Sequence, residues 1–248
     1  VHKSYSGDSK DNNVTNNLNK DWTPTFGTVY TWFAMDKNGR IAVLVNNCWG
    51  NLPQSVLNIP NAELLLDDLN EYMWEESKTY TNYPQDKAGE LIVDLYSYWS
   101  NKDRYRKKVS ISTVGKIGKW HGYIIDLYCF FENKMMSRNK ITKELTAELK
   151  RIKNYSDANL SVNKGCFLYF AVDGYNEGDD YPVGYEGATK MGDYYRYLVP
   201  TIYASIEDFP QALWHGIAVS DTLDFTKDRV LDNNKINTYF TRNYQITN

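Results

Sequence analysis

The chain has 248 residues, enough to bury one substantial core, and its 42% hydrophobic and 24% charged content is that of an ordinary globular protein. A net charge of −3 excludes a chain built as a whole around a polyanion, and no uncharged apolar run approaches the roughly 18 residues of a membrane span. Cys48, Cys129 and Cys166 are an odd number, lack CxxC spacing and each lie in an apolar run. They read as reduced, buried thiols of a cytoplasmic protein, not as a disulfide framework.

Residues 1–21 are rich in Asn, Ser, Asp and Lys and hold almost no bulky apolar side chain, so they are expected to form a polar tail. The remainder, 22–248, reads as a single α+β domain, because no Pro/Gly/Ser linker divides it. Thr28–Met35 is β-branched and aromatic, Asp36-Lys-Asn-Gly39 supplies a turn, and Ile41–Val45 returns: a β-hairpin. Asn38 and Gly39 both tolerate positive φ and are expected to hold it. Gly50 and Pro53 end this sheet segment.

Two amphipathic helices are expected next. Ala62, Leu65, Leu66, Leu69, Tyr72 and Met73 form one apolar stripe at helical spacing. Ala88, Leu91, Ile92, Leu95, Tyr96 and Trp99 repeat it behind Asp86, a plausible N-cap. The exposed loop Ser77–Gln85 lies between them. A basic run, KDRYRKK at Lys102–Lys108, precedes Trp120–Phe131, which is apolar on both parities as a covered central strand should be. A third helix is expected near Lys140–Lys153, then a buried strand over Gly165–Asp173. Asp193–Val199 and Thr201–Ala204 read as short strands parted by Pro200, and Ser205 with Asp208 as a capping box. Ile217–Val219 and the last twenty residues add strand or irregular structure. The expected fold class is α+β: a mostly antiparallel sheet with the N-terminal hairpin and several packed amphipathic helices.

Catalytic signatures are weak. Only His2, His121 and His215 occur, and no Gly-x-Ser-x-Gly elbow accompanies them. His215 with Asp221 or Asp224, and His121 with Asp126, are the available base–acid pairs. No His/Cys pair has zinc-ligand spacing, and Gly115-Lys-Ile-Gly118-Lys119 lacks the other features of a phosphate loop. No cofactor or metal is expected. WFAMD at Trp32–Asp36 is echoed by YFAVD at Tyr169–Asp173, a pattern short enough to recur by chance.

The sharpest local feature is DGYNEGDDYPVGYEG, Asp173–Gly187. Asp173, Glu177, Asp179, Asp180 and Glu186 stand there without a single Lys or Arg, interleaved with Tyr175, Tyr181 and Tyr185. As a calcium loop it fails, with Tyr175 and Gly184 at two positions that need ligands. As a recognition surface it works: carboxylates steer a basic partner, and rigid tyrosines anchor it. The 21 tyrosines of the whole chain fit such a surface, and equally fit an AT-rich genome.

The stretch W-F-A-x-D-x-x-G-x-I-A from Trp32, with Gly50–Pro53, resembles the N-terminal hairpin of immunity proteins encoded beside polymorphic toxins of bacterial contact-dependent competition. Tyr195–Pro200 (YRYLVP) and Ser205–Pro210 (SIEDFP) are similar to a second recurring block of those proteins. Together these cover about fifty residues. The resemblance implies a cytoplasmic protein without catalytic residues that binds a cognate toxin, such as a nuclease or another enzyme with a basic cleft, and blocks or distorts its active site. The apolar runs and the single short basic run give no reason to expect a membrane or direct nucleic-acid contact, and the resemblance casts Asp36 and Gly39 as turn residues of a scaffold. Two other classes stay open: a hydrolase or transferase with a dispersed site using His215 or His121, and a carbohydrate- or peptide-binding module using the Tyr and Trp surplus.

Overall fold

A computed structural model describes residues 18–87, 91–94, 164–173 and 189–245. At the centre of their sheet stands the hairpin, β1 (Thr31–Met35) against β2 (Ile41–Val45), with Thr31 opposite Val45 and Met35 opposite Ile41. Trp32, Phe33, Ala34 and all of Ile41–Leu44 are buried, so this pair is covered on both faces. The turn departs from expectation at one residue, since of Asn38 and Gly39 only Gly39 takes positive φ, at 79°. The buried Asp36 makes the second left-handed residue unnecessary. Its Oδ1 accepts the N–H groups of Asn38 and Arg40, each at 2.9 Å, while its carbonyl accepts that of Gly39 at 3.0 Å. A three-residue turn with one αL glycine results.

The described strands run in the order β3-β5-β4-β2-β1-β6-β8, with β7 also on β5. The flanking strands are β3 (Leu91–Val93), β4 (Phe167–Ala171), β5 (Tyr194–Pro200), β6 (Ile217–Val219), β7 (Val230–Leu231) and β8 (Arg242–Asn243). The sheet is mixed, which corrects the expectation of a mostly antiparallel one: β4 joins β2 in parallel, and β6 joins β1 in parallel. Both additions follow long connections, and parallel pairing needs such a crossover, whereas a two-residue hairpin cannot make it.

On one face Phe33 meets Phe209 at 6.0 Å between ring centroids, and Phe209 meets Tyr72 of helix α2 at 5.9 Å. α2 (Ala62–Met73) buries Ala62, Leu65, Leu66, Leu69, Tyr72 and Met73, the six residues of the sequence stripe. On the other face Trp32 packs edge-on against Tyr194 and Phe240, and Phe167 and Tyr169 pack on Phe225. The Trp32 indole N–H donates to the Tyr194 hydroxyl at 3.0 Å, and that hydroxyl donates to the Asn51 carbonyl at 3.0 Å, so this aromatic face leaves its polar tips bonded.

Helices are fewer than expected. Among the described residues α2 is the one long helix, beside the single turns α1 (Gln54–Leu57) and α3 (Ile236–Tyr239). The segment expected to be a helix after Asp86 contains β3 instead, with Leu91 opposite Pro200 and Val93 opposite Leu198. A short apolar run such as Leu91-Ile92-Val93 satisfies either period, and the open backbone groups of β5 decide for strand. Pro200 ends β5 rather than parting two strands, and Thr201–Ala204 is irregular. Ser205 and Asp208 do meet as foreseen, the Ser205 N–H donating to Asp208 Oδ2 at 2.9 Å around a single 3-10 turn. Leu18, within the stretch read as tail, is buried in the core. Residues 1–17, the KDRYRKK run, Trp120–Phe131 and the expected helix near Lys140–Lys153 lie outside the described residues.

Candidate functional site

The acidic, tyrosine-rich connection leaves β4 at Asp173 and returns before β5. Its root is a pair of backbone bonds: the Val172 N–H donates to the Asp193 carbonyl, and the Gly192 N–H to the Val172 carbonyl, both at 2.8 Å. Asp173 itself is exposed at the end of the strand. Tyr175, Glu177, Asp179, Asp180, Tyr181, Tyr185 and Glu186 lie outside the described residues. The echo WFAMD/YFAVD does not extend to environment, because Asp36 is buried under four N–H donors and Asp173 faces solvent.

The surroundings of this root are built with care. Lys190 Nζ bridges Asp193 Oδ1 at 2.8 Å and Asp232 Oδ1 at 2.5 Å, and the Asn233 N–H donates to Asp193 Oδ1 at 2.8 Å. Lys190 pays desolvation, which pulls its ammonium down, but hydrogen bonds from both carboxylates outweigh that and hold it above the ordinary lysine value. Beside it, the turn after β2 places Asn47 and Cys48 at φ 43° and 67°, two consecutive left-handed residues without a glycine. Asn47 secures the turn by donating from Nδ2 to the Ala171 carbonyl at 2.8 Å. Phe26, 84% exposed, lies 6.4 Å from the Trp49 ring.

Other charges serve the framework. Asp36 Oδ2 accepts the Phe225 N–H at 3.0 Å, and Arg40 bridges Asp36 to Asp224 Oδ1 at 2.7 Å. Asp94 accepts Arg196 Nε at 2.8 Å and Arg229 Nε at 3.0 Å, while Arg196 also donates to the Phe225 carbonyl at 2.7 Å. The Asp224 carboxyl is held below its usual range, by the Thr226 hydroxyl first and by Arg40 further down. Of the two acids offered to His215, Asp221 is bound by Arg242 and Asp224 by Arg40, while His215 stands exposed on the Gln211–Gly216 turn. His121 lies outside the described residues.

One feature was passed over in the sequence. From Ile41 to Ser77 there is no Lys or Arg, yet Glu63, Asp67, Asp68, Glu71, Glu75 and Glu76 stand on α2 or just beyond it. The apolar stripe of α2 faces the sheet, so these acids share the outer side with Leu64, which is 62% exposed. Burial first, then the charges of Glu63, Glu71 and Asp68, hold the Asp67 carboxyl above the usual carboxylate range. The local signal for this face is the charge along the helix, which its apolar period does not report.

Among the described residues no group of three or more His, Cys, Asp or Glu side chains is arranged to hold a metal ion, and no helix is long and apolar enough to cross a membrane. Compared with protein-family models, curated proteins and solved structures, the chain finds no match.

Proposed function

We infer that this chain is an immunity protein of a bacterial polymorphic toxin system, working in the cytoplasm by binding a cognate toxin domain and occluding or distorting its active site. The observation that carries the reading is the rooting of the acid- and tyrosine-rich connection, Asp173–Gly187, on two hydrogen-bonded central strands. A binding segment anchored on a rigid pair loses less freedom on association than one on a mobile arm. Its partner is a protein with a basic cleft, and Asp173, Glu177, Asp179, Asp180 and Glu186 are its charge complement. Tyr175, Tyr181 and Tyr185 supply contact area. The free thiols of Cys48 and Cys166 suit a reducing compartment.

The test is capture of the toxin encoded beside this chain, followed by stopped-flow association over a range of salt concentrations. Reversing Asp179 and Asp180 to Lys should slow association at least tenfold at low salt and flatten its salt dependence, with folding preserved. A double variant that associates as fast as wild type at every salt concentration and still protects against the toxin sinks the reading of the loop. Failure of the wild-type chain to bind any neighbouring toxin sinks the function.

A further inference from the structure

A cleft of about 460 Å³ opens where α2 ends, walled by Glu75, the 81–86 segment and Lys164. That volume is within the range of sites that take a small molecule or a single protruding side chain. Its floor is built from sequence-distant parts. Lys164 lies just before β4 and its side chain is only 5% exposed, with Nζ 2.5 Å from Glu75 Oε1 and 2.7 Å from Asp86 Oδ1. The two carboxylates remain open to the cleft, with side chains 43% and 60% exposed. One fixed cation therefore holds two anions in place, and the constellation carries an excess negative charge.

Lys164 keeps its charge against burial, so the constellation stays at one cation to two anions. Burial pulls its ammonium down, yet hydrogen bonds to Asp86 and Glu75 more than compensate, so it stays protonated. Tyr83 adds an aromatic surface to the wall, packed on Tyr72 at 6.1 Å and fixed by its hydroxyl on the Ser77 carbonyl at 2.6 Å. Pro84 stiffens the same wall, and Asn82 and Gln85 offer amide groups. Glu75 is also held against local preference: φ is 61°, a conformation usually given to glycine at a helix end, and an acid there opposes the helix dipole. The outer acids of α2 continue from this point along the helix.

We propose that this cleft receives a guanidinium or ammonium side chain of a basic protein partner, anchored by the open carboxylates of Glu75 and Asp86 beside the Tyr83 ring. A planar cation with several N–H donors answers both the residual charge and the aromatic wall. The proposal rests on the reading of a basic partner, and places a second contact around Lys164, which precedes β4, whereas Asp173 follows it.

The experiment uses the full chain and short capped peptides: tri-arginine, and tri-citrulline of the same shape without the charge. Titration calorimetry and amide NMR shifts at residues 81–86 report binding. Tri-arginine should bind and move those signals, tri-citrulline should not, and Asp86→Asn should weaken binding about tenfold. Asp86→Asn leaves Lys164 paired with Glu75, and an unchanged melting temperature shows that the fold is kept. Asp221→Asn, which alters an exposed carboxylate bound by Arg242, should leave affinity as it was. Equal affinity for the two peptides, an unaffected Asp86→Asn, or an equal loss in Asp221→Asn would each overturn the proposal. Toxin capture with the 179/180 reversal is read separately. Loss of peptide binding with intact, salt-sensitive capture removes the cleft alone, whereas a bound peptide with no captured toxin removes the immunity reading alone.

Discussion

The interior and the outer face of α2 treat carboxylates in opposite ways. Asp36 is 1% exposed and accepts three backbone N–H groups besides the Arg40 guanidinium, and Asp94 is shared by Arg196 and Arg229. On α2 and just beyond it, Asp67, Asp68, Glu71 and Glu76 have no basic partner among the described residues, and Asp67 is pushed up partly by its own neighbours. Charge that is paired inside fixes loops to the sheet. Charge outside, without a basic partner among the described residues, does not tie one element to another. Each expectation below breaks or sharpens that division.

Alkaline pH should break the interior most completely, because the polar tips there include phenols. Burial, then Glu63, pushes Tyr30 from 10.0 up to about 12, and burial, then Asp208, does the same to Tyr72. Burial also raises Tyr169, Tyr194 and Tyr197. The folded state keeps these protons to higher pH than the unfolded state, whose phenols lose theirs near 10. Above pH 10 the folded chain therefore binds more protons, and stability falls as pH rises toward 12 and beyond. The last fraction of tyrosinate absorbance should appear in the same cooperative step as the loss of circular dichroism, above pH 10. Tyrosinate appearing in full near pH 10 with the fold intact would show these phenols to be solvated.

Next in size is Asp36→Ala. It strands the N–H groups of Asn38, Arg40 and Phe225 and removes one of the two carboxylates around Arg40, a loss of about 3 kcal/mol or more. Urea unfolding should show a lower midpoint with an unchanged slope. A loss under about 1 kcal/mol would mean that the turn holds without its carboxylate, as a turn residue of the ordinary kind.

How much of this was legible beforehand follows from distance along the chain. The α2 stripe was readable because six apolar residues repeat within twelve positions, and the hairpin because Asn-Gly follows a β-branched run. Asp36 was readable as a turn residue, but its bond to Phe225 crosses 189 positions and has no local signature. The same is true of Lys164 with Glu75, 89 positions apart. The parallel partners of β1 and β2 arrive by long crossovers whose direction no periodicity encodes. Leu91–Val93 was misread because three apolar residues cannot distinguish two periods, and β5 settled the matter from more than a hundred positions away. Of the candidate site, its charge and its tyrosines were visible as composition, whereas the root that anchors it is a matter of pairing between β4 and β5.

Gly50→Ala should come third, at about 1–3 kcal/mol. A Cβ there would lie 2.5 Å from the Tyr194 Cζ and hydroxyl and 2.9 Å from the Ala171 Cβ, so the ring that links Trp32 to Asn51 must shift. The melting temperature should drop, and the Trp32 indole N–H resonance should move as its bond to Tyr194 lengthens. An unmoved resonance would mean that the turn, rather than the ring, yields.

The smallest effect belongs to the outer face, and its sign matters more than its size. Asp67 has a folded pKa above its ordinary 3.8, through burial first and then Glu63, Glu71 and Asp68. A carboxyl raised in the folded state makes that state bind more protons than the unfolded one, so its ionisation costs stability as pH rises through and above that range. Asp67→Asn keeps the shape and removes the charge. It should therefore stabilise at pH 7 by up to about 0.5 kcal/mol, as surface changes do, and the gain should vanish at pH 3, where Asp67 is protonated in both states. Salt should shrink the part due to the neighbouring acids. The same variant should associate more slowly with a basic partner, a gain in folding set against a loss in recognition. Urea unfolding at pH 7 and pH 3 reads the first half, and stopped-flow association reads the second. A variant clearly less stable at pH 7 would place Asp67 among the structural carboxylates, and the division between inner and outer charge would have to be redrawn at this helix.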